Sequence, residues 1–421
     1  MVPDLDRIRL LTELMGDPQR AYPSVHLAGT NGKTSTARLV DALLRAFGVR
    51  TGRYTSPHLA SVTERITVDG EQLSEERFAA VFEEVRPLVE LVDARSAVPM
   101  TFFEVLTGMA FAAFADAPVD AAVLEVGLGG SWDATNVVEA GTCVLLPVGL
   151  DHVPLLGTTL AEVAAEKAGI VHAGATAIVA AQPPEAAEVV LRRCAEIGAA
   201  VAREGLEFGV LDRRVAVGGQ VLTLQGLAGT YDELFVPLHG LHQAGNAAAA
   251  LAAVEAFLGA GASGRLDVEL VRSGFAQATS PGRLEVLRTS PAVLVDAAHN
   301  APGMAATVAA VGDAFAFRGL VVVLACLRDK DVRAMLEVLD PAATAVVVTT
   351  NSSPRAMTPD ELLEIAEDVL GEDRVYVEDR LDDAVDTAVR LAEEADAYGG
   401  AGVLVTGSVV TAGEARTLLA R

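Results

Sequence analysis

A glycine-bearing loop between a short apolar segment and a helical pattern constrains the fold more than any other feature of the chain. The apolar segment covers residues 24–28, the loop reads G-T-N-G-K-T over residues 29–34, and the helical pattern begins near Ser35. Glycines let several backbone N–H groups point at one anion, and the following helix adds the positive end of its dipole. This order of strand, loop and helix predicts a phosphate-binding edge of a parallel sheet.

Two side chains in the loop suit a nucleoside triphosphate. Lys33 can reach the outer phosphates, and the Thr34 hydroxyl suits a Mg²⁺ ion. The general pattern G-x-x-x-x-G-K-[ST] would place its first glycine at position 27, which is Leu27. The assignment of the shorter motif G-T-N-G-K-T as a phosphate loop therefore depends on its position between a strand and a helix. We interpret it as a nucleotide site, with a plain glycine turn as the alternative.

Composition excludes several classes of protein. The 421 residues, 51% of them hydrophobic, suffice for two or three domains. A formal net charge of -25 predicts no binding to nucleic acid or to anionic membranes. Cys143, Cys194 and Cys326 lie far apart, so we expect reduced, buried thiols in a cytoplasmic protein. We find no secretion signal and no run long enough to span a membrane, and we expect a monomer.

Short apolar runs alternate with helical patterns, which predicts an α/β protein with mainly parallel sheets. The strands predicted in the first half cover residues 24–28, 121–126, 142–148 and 176–180. The helices predicted there cover residues 35–47, 75–91, 102–115, 160–171 and 242–258. A β-rich stretch occupies residues 202–236 between the last two helices.

The alternation restarts after a turn-rich segment at residues 279–282. The strands predicted beyond it cover residues 292–295, 319–325, 343–349, 374–377 and 402–406. We therefore predict a P-loop ATPase-type domain with a mainly parallel sheet over residues 1–280. A smaller, Rossmann-like α/β domain follows over residues 281–421.

Polar residues directly after the apolar runs are candidates for chemistry, because ligands bind beyond the carboxyl ends of parallel strands. Glu125 follows one run, and Asp151 and His152 follow the next. Carboxylate, hydroxyl and imidazole groups can together hold Mg²⁺ beside phosphate oxygens. Alone, Glu125 reads as a cap on the glycine loop and His152 as a polar loop residue. A phosphate loop in the same sheet favours the metal site.

Two further candidate site segments also have purely structural interpretations. In the second domain, Asp296 can accept from a ribose hydroxyl and His299 can orient a substrate carboxylate. The same segment reads as a helix start, because Asn300 precedes Ala301-Pro302, and both readings can hold together. Lys167 reads, by composition, as a solvated lysine on a helix.

These motifs recur in order along nearly the whole chain. They are G-T-N-G-K-T-S at 29–35, T-S-P-H-L at 55–59, E-R-I at 64–66, T-F-F-E at 101–104, E-V-G-L-G-G at 125–130, D-A-T-N at 133–136, G-L-D-H at 149–152, E-K-A-G-I at 166–170, P-G-R at 281–283, D-A-A-H-N at 296–300, D-K-D at 329–331 and T-G-S at 406–408. In this set the chain resembles the folylpolyglutamate synthase/dihydrofolate synthase family, a branch of the Mur ligase superfamily.

The resemblance implies an ADP-forming amide ligase of folate biosynthesis. ATP phosphorylates a carboxylate of dihydropteroate or of a tetrahydrofolate (poly)glutamate, and the amine of L-glutamate then displaces phosphate from the acyl phosphate. The partners implied are therefore small molecules: ATP, L-glutamate and a pterin. A water-sensitive acyl phosphate also implies that the second domain closes over the cleft.

The resemblance also assigns roles to residues. The nucleotide set is Gly29, Thr30, Asn31, Gly32, Lys33, Thr34, Ser35, Asn246, Arg283 and Asp296. The ligands of Mg²⁺, with two ions expected, are Thr34, Ser56, Glu125 and His152. Lys167 is implied to be carbamylated. The pterin set is Thr101, Phe102, Phe103, Glu104, Trp132, Asp133 and Ala134. Incoming glutamate is assigned to His299 and Ser408. The residues expected to carry the chemistry are Lys33, Glu125, His152, Lys167 and His299.

Several positions depart from the family's usual sequence motifs. Ser131 stands where arginine is usual, Val153-Pro154 where Thr-Asp is usual, and Ala301 intervenes before the usual proline. The segment ahead of Leu5 is also shorter than is usual. These departures favour an alternative, a paralogue that joins an amino acid to another carboxylic acid. A third hypothesis is a regulator that binds ATP without ligase turnover.

Overall fold

Two parallel-dominated sheets and one small antiparallel sheet organise the chain. The computed structural model describes residues 4–151, 153–261, 264–396 and 400–419. His152, a predicted metal ligand, lies outside the described residues. The fold class predicted from the sequence is confirmed.

The first sheet carries the phosphate loop. Its strands are β1 (Ser24–Ala28), β2 (Thr51–Tyr54), β3 (Ile66–Val68), β4 (Glu71–Gln72), β5 (Ala121–Glu125), β6 (Thr142–Leu145), β7 (Thr176–Val179) and β8 (Ala200–Arg203). Their order is β4-β3-β2-β5-β1-β6-β7-β8, and pairing is parallel from β2 to β8. Strands β3 and β4 extend the β2 edge in antiparallel fashion. β1 therefore lies inside the sheet, between β5 and β6.

Helices cover both faces of this sheet. They are α1 (Asp6–Leu14), α2 (Lys33–Ala46), α3 (Glu75–Asp93), α4 (Phe102–Asp116), α5 (Val153–Leu156), α6 (Leu160–Ala168), α7 (Pro184–Ile197), α8 (Leu241–Leu258) and α9 (Val268–Ala276). Successive strand residues alternate between two cores, as period-2 geometry requires: Leu124 packs with α4 and α6, whereas Val123 packs with α2 and α8.

The β-rich stretch forms a separate antiparallel sheet. Its strands are β9 (Gly209–Ala216), β10 (Gly219–Gln225) and β11 (Thr230–Val236), in the order β11-β10-β9. Its inner face packs against α8, whose alanines from Ala247 to Ala253 are almost fully buried with Leu251. Small side chains let α8 lie close to both the small sheet and the first sheet. Ala202, grouped with this stretch by the sequence, belongs to β8 instead.

The second large sheet follows residue 284. Its strands are β12 (Glu285–Thr289), β13 (Ala292–Val295), β14 (Gly319–Leu324), β15 (Ala345–Val348), β16 (Val375–Val377) and β17 (Ala401–Thr406), in the order β12-β13-β17-β14-β15-β16. Its helices are α10 (Ala301–Ala314), α11 (Val332–Leu339), α12 (Pro359–Leu370), α13 (Leu381–Asp396) and α14 (Val409–Leu419). Only the β12–β13 pair is antiparallel among the described strands of this sheet.

The buried cores divide near the predicted boundary. Two core clusters run from Leu5 to Ala278, and two others from Leu284 to Ala415. We propose that the domains meet at residues 280–281, as the sequence predicted. All three cysteines are buried and free. In the described part of the chain, no helix is long and apolar enough to cross a bilayer.

The sequence missed strand β2 because the strand carries a charge. Arg53 is 5% exposed, and its Nη1 lies 2.7 Å from Oδ2 of Asp41 on α2, which is fully buried. Thr51 donates to the other carboxylate oxygen. The segment T-G-R-Y is short and contains an arginine, so its sequence lacks the apolar run by which the other strands were predicted. The helix predicted from residue 35 also begins earlier, at Lys33, and the one predicted to end at 171 ends at Ala168.

We predict that Asp41→Asn lowers the free energy of unfolding of the first domain by about 3–5 kcal/mol, because Arg53 then loses its buried counter-charge. Fluorescence of Trp132, the single tryptophan, follows this domain in urea. The control is Asp212→Asn, whose pair with Arg214 is more than 60% exposed on both sides; it should change stability by less than about 0.5 kcal/mol. Equal effects in the two variants would contradict the role of the buried pair.

Candidate active site

The phosphate loop requires glycine at two points. Gly29 has φ +155° and Gly32 has φ +88°. A Cβ on Gly29 would lie 2.6 Å from the Cβ of Leu146, and one on Gly32 would lie 2.6 Å from Oδ1 of Asn246. The loop is therefore pressed against β6's continuation on one side and α8 on the other, and it opens only toward the cleft.

Lys33 folds over this loop. Its Nζ donates to the carbonyl oxygens of Gly29 at 3.0 Å and Thr30 at 3.2 Å. Burial lowers the pKa of its amine, and the nearby carboxylates of Glu125 and Asp151 oppose that shift. A cation held over a ring of backbone amides provides the charge and the donors that a polyphosphate needs.

Three predicted metal ligands converge at the end of β5. Glu125 is 1% exposed; its Oε1 accepts from the Thr34 hydroxyl at 2.8 Å, and its Oε2 accepts from the backbone N–H of Ser56 at 3.1 Å. Burial raises the pKa of the Glu125 carboxyl, and Lys33 opposes the rise. His152, the fourth predicted ligand, is outside the described residues.

The donor set fits Mg²⁺ only together with phosphate oxygens. Among the described residues, no three His, Cys, Asp or Glu side chains come together in a group able to hold a metal ion. One carboxylate and hydroxyl groups beside a phosphate loop are the hard oxygen ligands that Mg²⁺ takes when a nucleotide supplies the rest. Glu125, Thr34 and Ser56 therefore fit the ion.

Lys167 is not a solvated helix lysine, so that reading was wrong. It lies in the last turn of α6 and is only 4% exposed. Burial, and then the charge of Lys33, lower the pKa of its amine to about 7. The N-cap Thr159 and its capping-box partner Glu162 start this helix, so the position of Lys167 depends on a well-capped element. At neutral pH much of the amine is uncharged.

A cavity of about 770 Å³ joins these groups at the junction of the two sheets. Residues of both halves of the chain line it. The ten residues predicted to bind nucleotide all do so, as do Ser56, Glu125, Lys167 and His299. The structure thus brings together residues that are more than 250 positions apart in the sequence.

The segment after β13 combines a helix cap with site residues. Asn300 caps α10 by accepting from the N–H of Gly303 at 2.8 Å. The carboxylate of Asp296 accepts from two backbone N–H groups and from the Thr307 hydroxyl. His299 donates from Nδ1 to the carbonyl of Ala297, and burial, with Lys330 nearby, lowers its pKa to about 4. Nε2 of the neutral ring lies 3.7 Å from Oδ2 of Asp151, and both residues line the cavity.

The residues predicted to border the pterin lie outside the lining of that cavity. Thr101 and Glu104 form the capping box of α4, and Glu104 also pairs with Arg7 at 3.0 Å. Phe103 packs under Gly127, whereas Phe102 is 62% exposed.

The remaining pterin residues belong to the loop after Gly127. Trp132 packs beside Gly129. Asp133 accepts from the N–H groups of Leu128 and Thr135, and Ala134 is 6% exposed. Most of this set therefore has structural contacts of its own, and its substrate role remains a prediction.

Ser408 is not at the cavity. It is 1% exposed, and its hydroxyl lies 2.7 Å from the hydroxyl of Thr411 and 3.2 Å from Nδ2 of Asn351. Its Oγ also accepts from the Thr411 N–H at the start of α14. The hydroxyl therefore takes part in starting this helix, and the preceding residue, Gly407, donates its N–H to the carbonyl of Ala298, next to His299.

Sequence reasoning missed the polar contacts that bridge the two domains. Asn31 and Asn300 exchange two side-chain hydrogen bonds of 3.2 Å. Lys330 Nζ lies 2.7 Å from Oδ1 of Asp151. Across the other end of the cavity, Arg213 on β9 pairs with Asp313 on α10. The composition did hold one indication of these site residues. The chain has only three lysines, and all three lie at or beside this cavity.

Comparison with known proteins identifies the class. A model of the Mur ligase middle domain matches residues 27–254, and one of the Mur ligase glutamate ligase domain matches residues 282–409. A Mycobacterium tuberculosis protein named dihydrofolate synthase/folylpolyglutamate synthase is 51% identical over 100% of this chain and 90% of its own length. The fold and the phosphate loop are those of a Mur ligase, so the chain is an enzyme of that type.

Solved structures narrow the class to a family. The Mycobacterium tuberculosis folylpolyglutamate synthase complexed with ADP and AMPPCP has a TM-score of 0.96 at 52% identity, over 100% of this chain and 96% of that chain. The E. coli FolC structure in complex with DHPP and ADP has a TM-score of 0.85 at 31% identity, over 100% and 94%. The chain belongs to the dihydrofolate synthase/folylpolyglutamate synthase family, which confirms the resemblance.

We predict that Lys330→Met shifts the ligand-free protein toward an open arrangement, because it removes a nearly buried charge pair between the domains. Small-angle X-ray scattering should show a larger radius of gyration. Arg333→Met is the matched control, since its pair with Asp368 is exposed and lies within the second domain. An unchanged scattering curve for Lys330→Met would show that this pair does not hold the domains together.

Proposed function

We propose that this chain is an ATP-dependent, ADP-forming ligase that adds L-glutamate to dihydropteroate or to a tetrahydrofolate (poly)glutamate. The observation that carries the proposal is the cavity between the domains, where the phosphate loop, Glu125 and Lys167 meet. The names of the relatives support the substrates. Three free, buried thiols fit a cytoplasmic enzyme.

The first step transfers a phosphoryl group. A carboxylate oxygen of the acceptor attacks the γ-phosphorus of ATP, the bond to the bridging oxygen breaks, and ADP leaves. Loop amides and Lys33 hold the phosphates and stabilise the charge that gathers on them. Glu125, Thr34 and Ser56 would hold Mg²⁺, which neutralises phosphate charge when bound.

The second step forms the amide. The glutamate nitrogen attacks the acyl carbon, inorganic phosphate leaves, and the nitrogen loses a proton. His299 stays unprotonated at neutral pH, so its Nε2 can accept a hydrogen bond from the incoming amino group. The domain-bridging contacts Asn31–Asn300 and Lys330–Asp151 keep this end of the cleft closed while the acyl phosphate exists.

Lys167 fits the role of a carbamylated lysine. Carbamate formation needs an uncharged amine, and the lowered pKa supplies one near neutral pH. The product is an anion in place of a cation beside Lys33 and the phosphate loop. It would offset the positive charge there and add an oxygen ligand for a metal ion.

Ser131, which replaces an arginine usual in the family, has a structural contact. Its hydroxyl and its N–H both donate to the carbonyl of Glu166, next to Lys167. A Cβ on Gly169 would lie 2.0 Å from this hydroxyl, so the two residues fit closely. Ser131 therefore fastens the glycine loop to α6.

The test of the proposed function is an acceptor panel with ATP, Mg²⁺ and L-glutamate. ADP release should depend on dihydropteroate or tetrahydrofolate and on glutamate together, and mass spectrometry should show one added glutamyl group. ADP release that depends on another carboxylic acid and on neither pterin would favour the paralogue instead. No ADP release with any acceptor would contradict a ligase.

We predict that Lys33→Ala lowers turnover by about 10²–10³-fold, since the phosphates lose their charged donor during transfer. The melting temperature should stay near that of the wild type, because the hydrogen bonds described for the Lys33 amine go to two carbonyls of its own loop. Near-normal turnover would remove Lys33 from the mechanism.

We predict that ¹³C-bicarbonate gives a carbamate NMR signal that grows as the pH rises through about 7, where the Lys167 amine becomes neutral. Lys167→Arg should abolish the signal, and with only three lysines in the chain its assignment is direct. Lys167→Ala should cripple turnover, with partial recovery in a short carboxylic acid. A signal that persists in Lys167→Arg would contradict the site of modification.

A further inference from the structure

A leucine of the first domain packs against the core of the second. Leu59, in the loop after β2, packs half-buried against the cluster formed by β13, β17, α13 and α14. Its side chain also lies beside Gly282, where an added Cβ would come within 3.0 Å of it. The polar domain contacts surround the cavity, whereas this contact is apolar and sits on a different part of the junction.

Gly413 makes that contact possible. It lies within α14, and a Cβ there would be 2.0 Å from the carbonyl oxygen of Leu59 and 2.8 Å from its carbonyl carbon. Backbone atoms of a first-domain loop thus lie against backbone atoms of a second-domain helix. No side chain at position 413 is compatible with this approach unless the loop withdraws.

The loop is held near both of its ends. Residues 56–61 form the linking loop, and its second half is held by Glu64, whose carboxylate accepts from the N–H groups of Leu59, Ala60 and Ser61 at 2.9–3.0 Å. At its other end, the N–H of Ser56 donates to Oε2 of Glu125. Only three residue steps, a span of at most about 10 Å, separate Leu59 from Ser56.

We propose that the linking loop is a positioning device through which the second domain orients the Glu125 carboxylate. Leu59 and Gly413 are its positioning residues: when the second domain seats Leu59, the Ser56 N–H is held on Glu125. Its effect on turnover rests on the proposed function, in which Glu125 holds Mg²⁺ beside the nucleotide. The mechanical coupling between Leu59 and Ser56 does not depend on the proposed function.

Gly413→Ala tests the coupling, with Gly312→Ala as the matched control. Both replace a glycine inside a second-domain helix, but a Cβ on Gly312 meets nothing within 4 Å. In the ligand-free full chain, hydrogen exchange of the amides of residues 56–61 should be at least several-fold faster in Gly413→Ala than in Gly312→Ala. In the ligase assay, Gly413→Ala should lower kcat by about 10- to 100-fold.

The kinetic pattern separates positioning from general damage. The Mg²⁺ concentration for half-maximal rate should rise in Gly413→Ala, whereas KM for ATP should stay within about twofold, because the phosphate loop is untouched. Leu59→Ala should repeat this pattern, and Leu59→Met should restore most of the rate. Leu287→Ala is the control, since Leu287 is also partly buried on this cluster but belongs to β12 of the second domain.

Exchange in residues 56–61 that is unchanged in both Gly413→Ala and Leu59→Ala overturns the proposal. Equal loss of rate in Leu59→Ala and Leu287→Ala also overturns it, because the effect would then belong to the core. A wild-type chain without ligase activity defeats the proposed function, yet the exchange experiment still decides the coupling.

Discussion

Burial of charge at the carboxyl end of the first sheet is the constraint on which the site depends. Lys167 and Glu125 are buried and Lys33 is partly buried beside them, and burial moves the pKa of each toward its neutral form. A folded protein keeps such groups charged only where partners compensate them. The cavity that they line holds further acidic and basic side chains in similar number, and under the proposed function a triphosphate would lie on the phosphate loop beside Lys33.

The identity of these cations matters as much as their charge. The chain has 32 lysines and arginines, but only three are lysines, and those three lie at or beside the cavity. Arginine cannot lose its proton in proteins, whereas a buried lysine can, and its compact ammonium fits inside a loop of carbonyls and amides. Arginine also serves at the cavity, through Arg213 and Arg283, but of the cations there only the lysines can lose a proton.

The parts of the site that the sequence predicts are those that a local pattern encodes. The phosphate loop needs two glycines and a lysine within five residues, and Glu125 follows directly from the end of an apolar strand. The burial of Lys167 was not predictable in this way, because α6 looks amphipathic and only its packing against the glycine loop encloses the amine. At Ser408 the motif matched and the hydroxyl starts a helix, so its role toward glutamate stays a prediction.

Contacts between distant segments were also beyond a single sequence. Asp41 and Arg53 neutralise each other only because α2 and β2 pack together, and Arg213 and Asp313 meet only after the small sheet reaches the second domain. No local period marks such pairs. Composition did carry one usable signal, the scarcity of lysine, and that signal alone is enough to single out Lys330 as a candidate site residue.

The two kinds of domain contact suit different tasks. The contacts around the cavity are polar, and water can replace each hydrogen bond when the cleft opens to release product. The Leu59 contact is apolar and depends on close backbone approach at Gly413, so it is lost in one step when the surfaces separate. If the domains close in this way, the polar contacts would form one after another and would progressively restrict the access of water to the cavity. The Leu59 contact would align Glu125 only at full closure, when the acyl phosphate most needs protection from water.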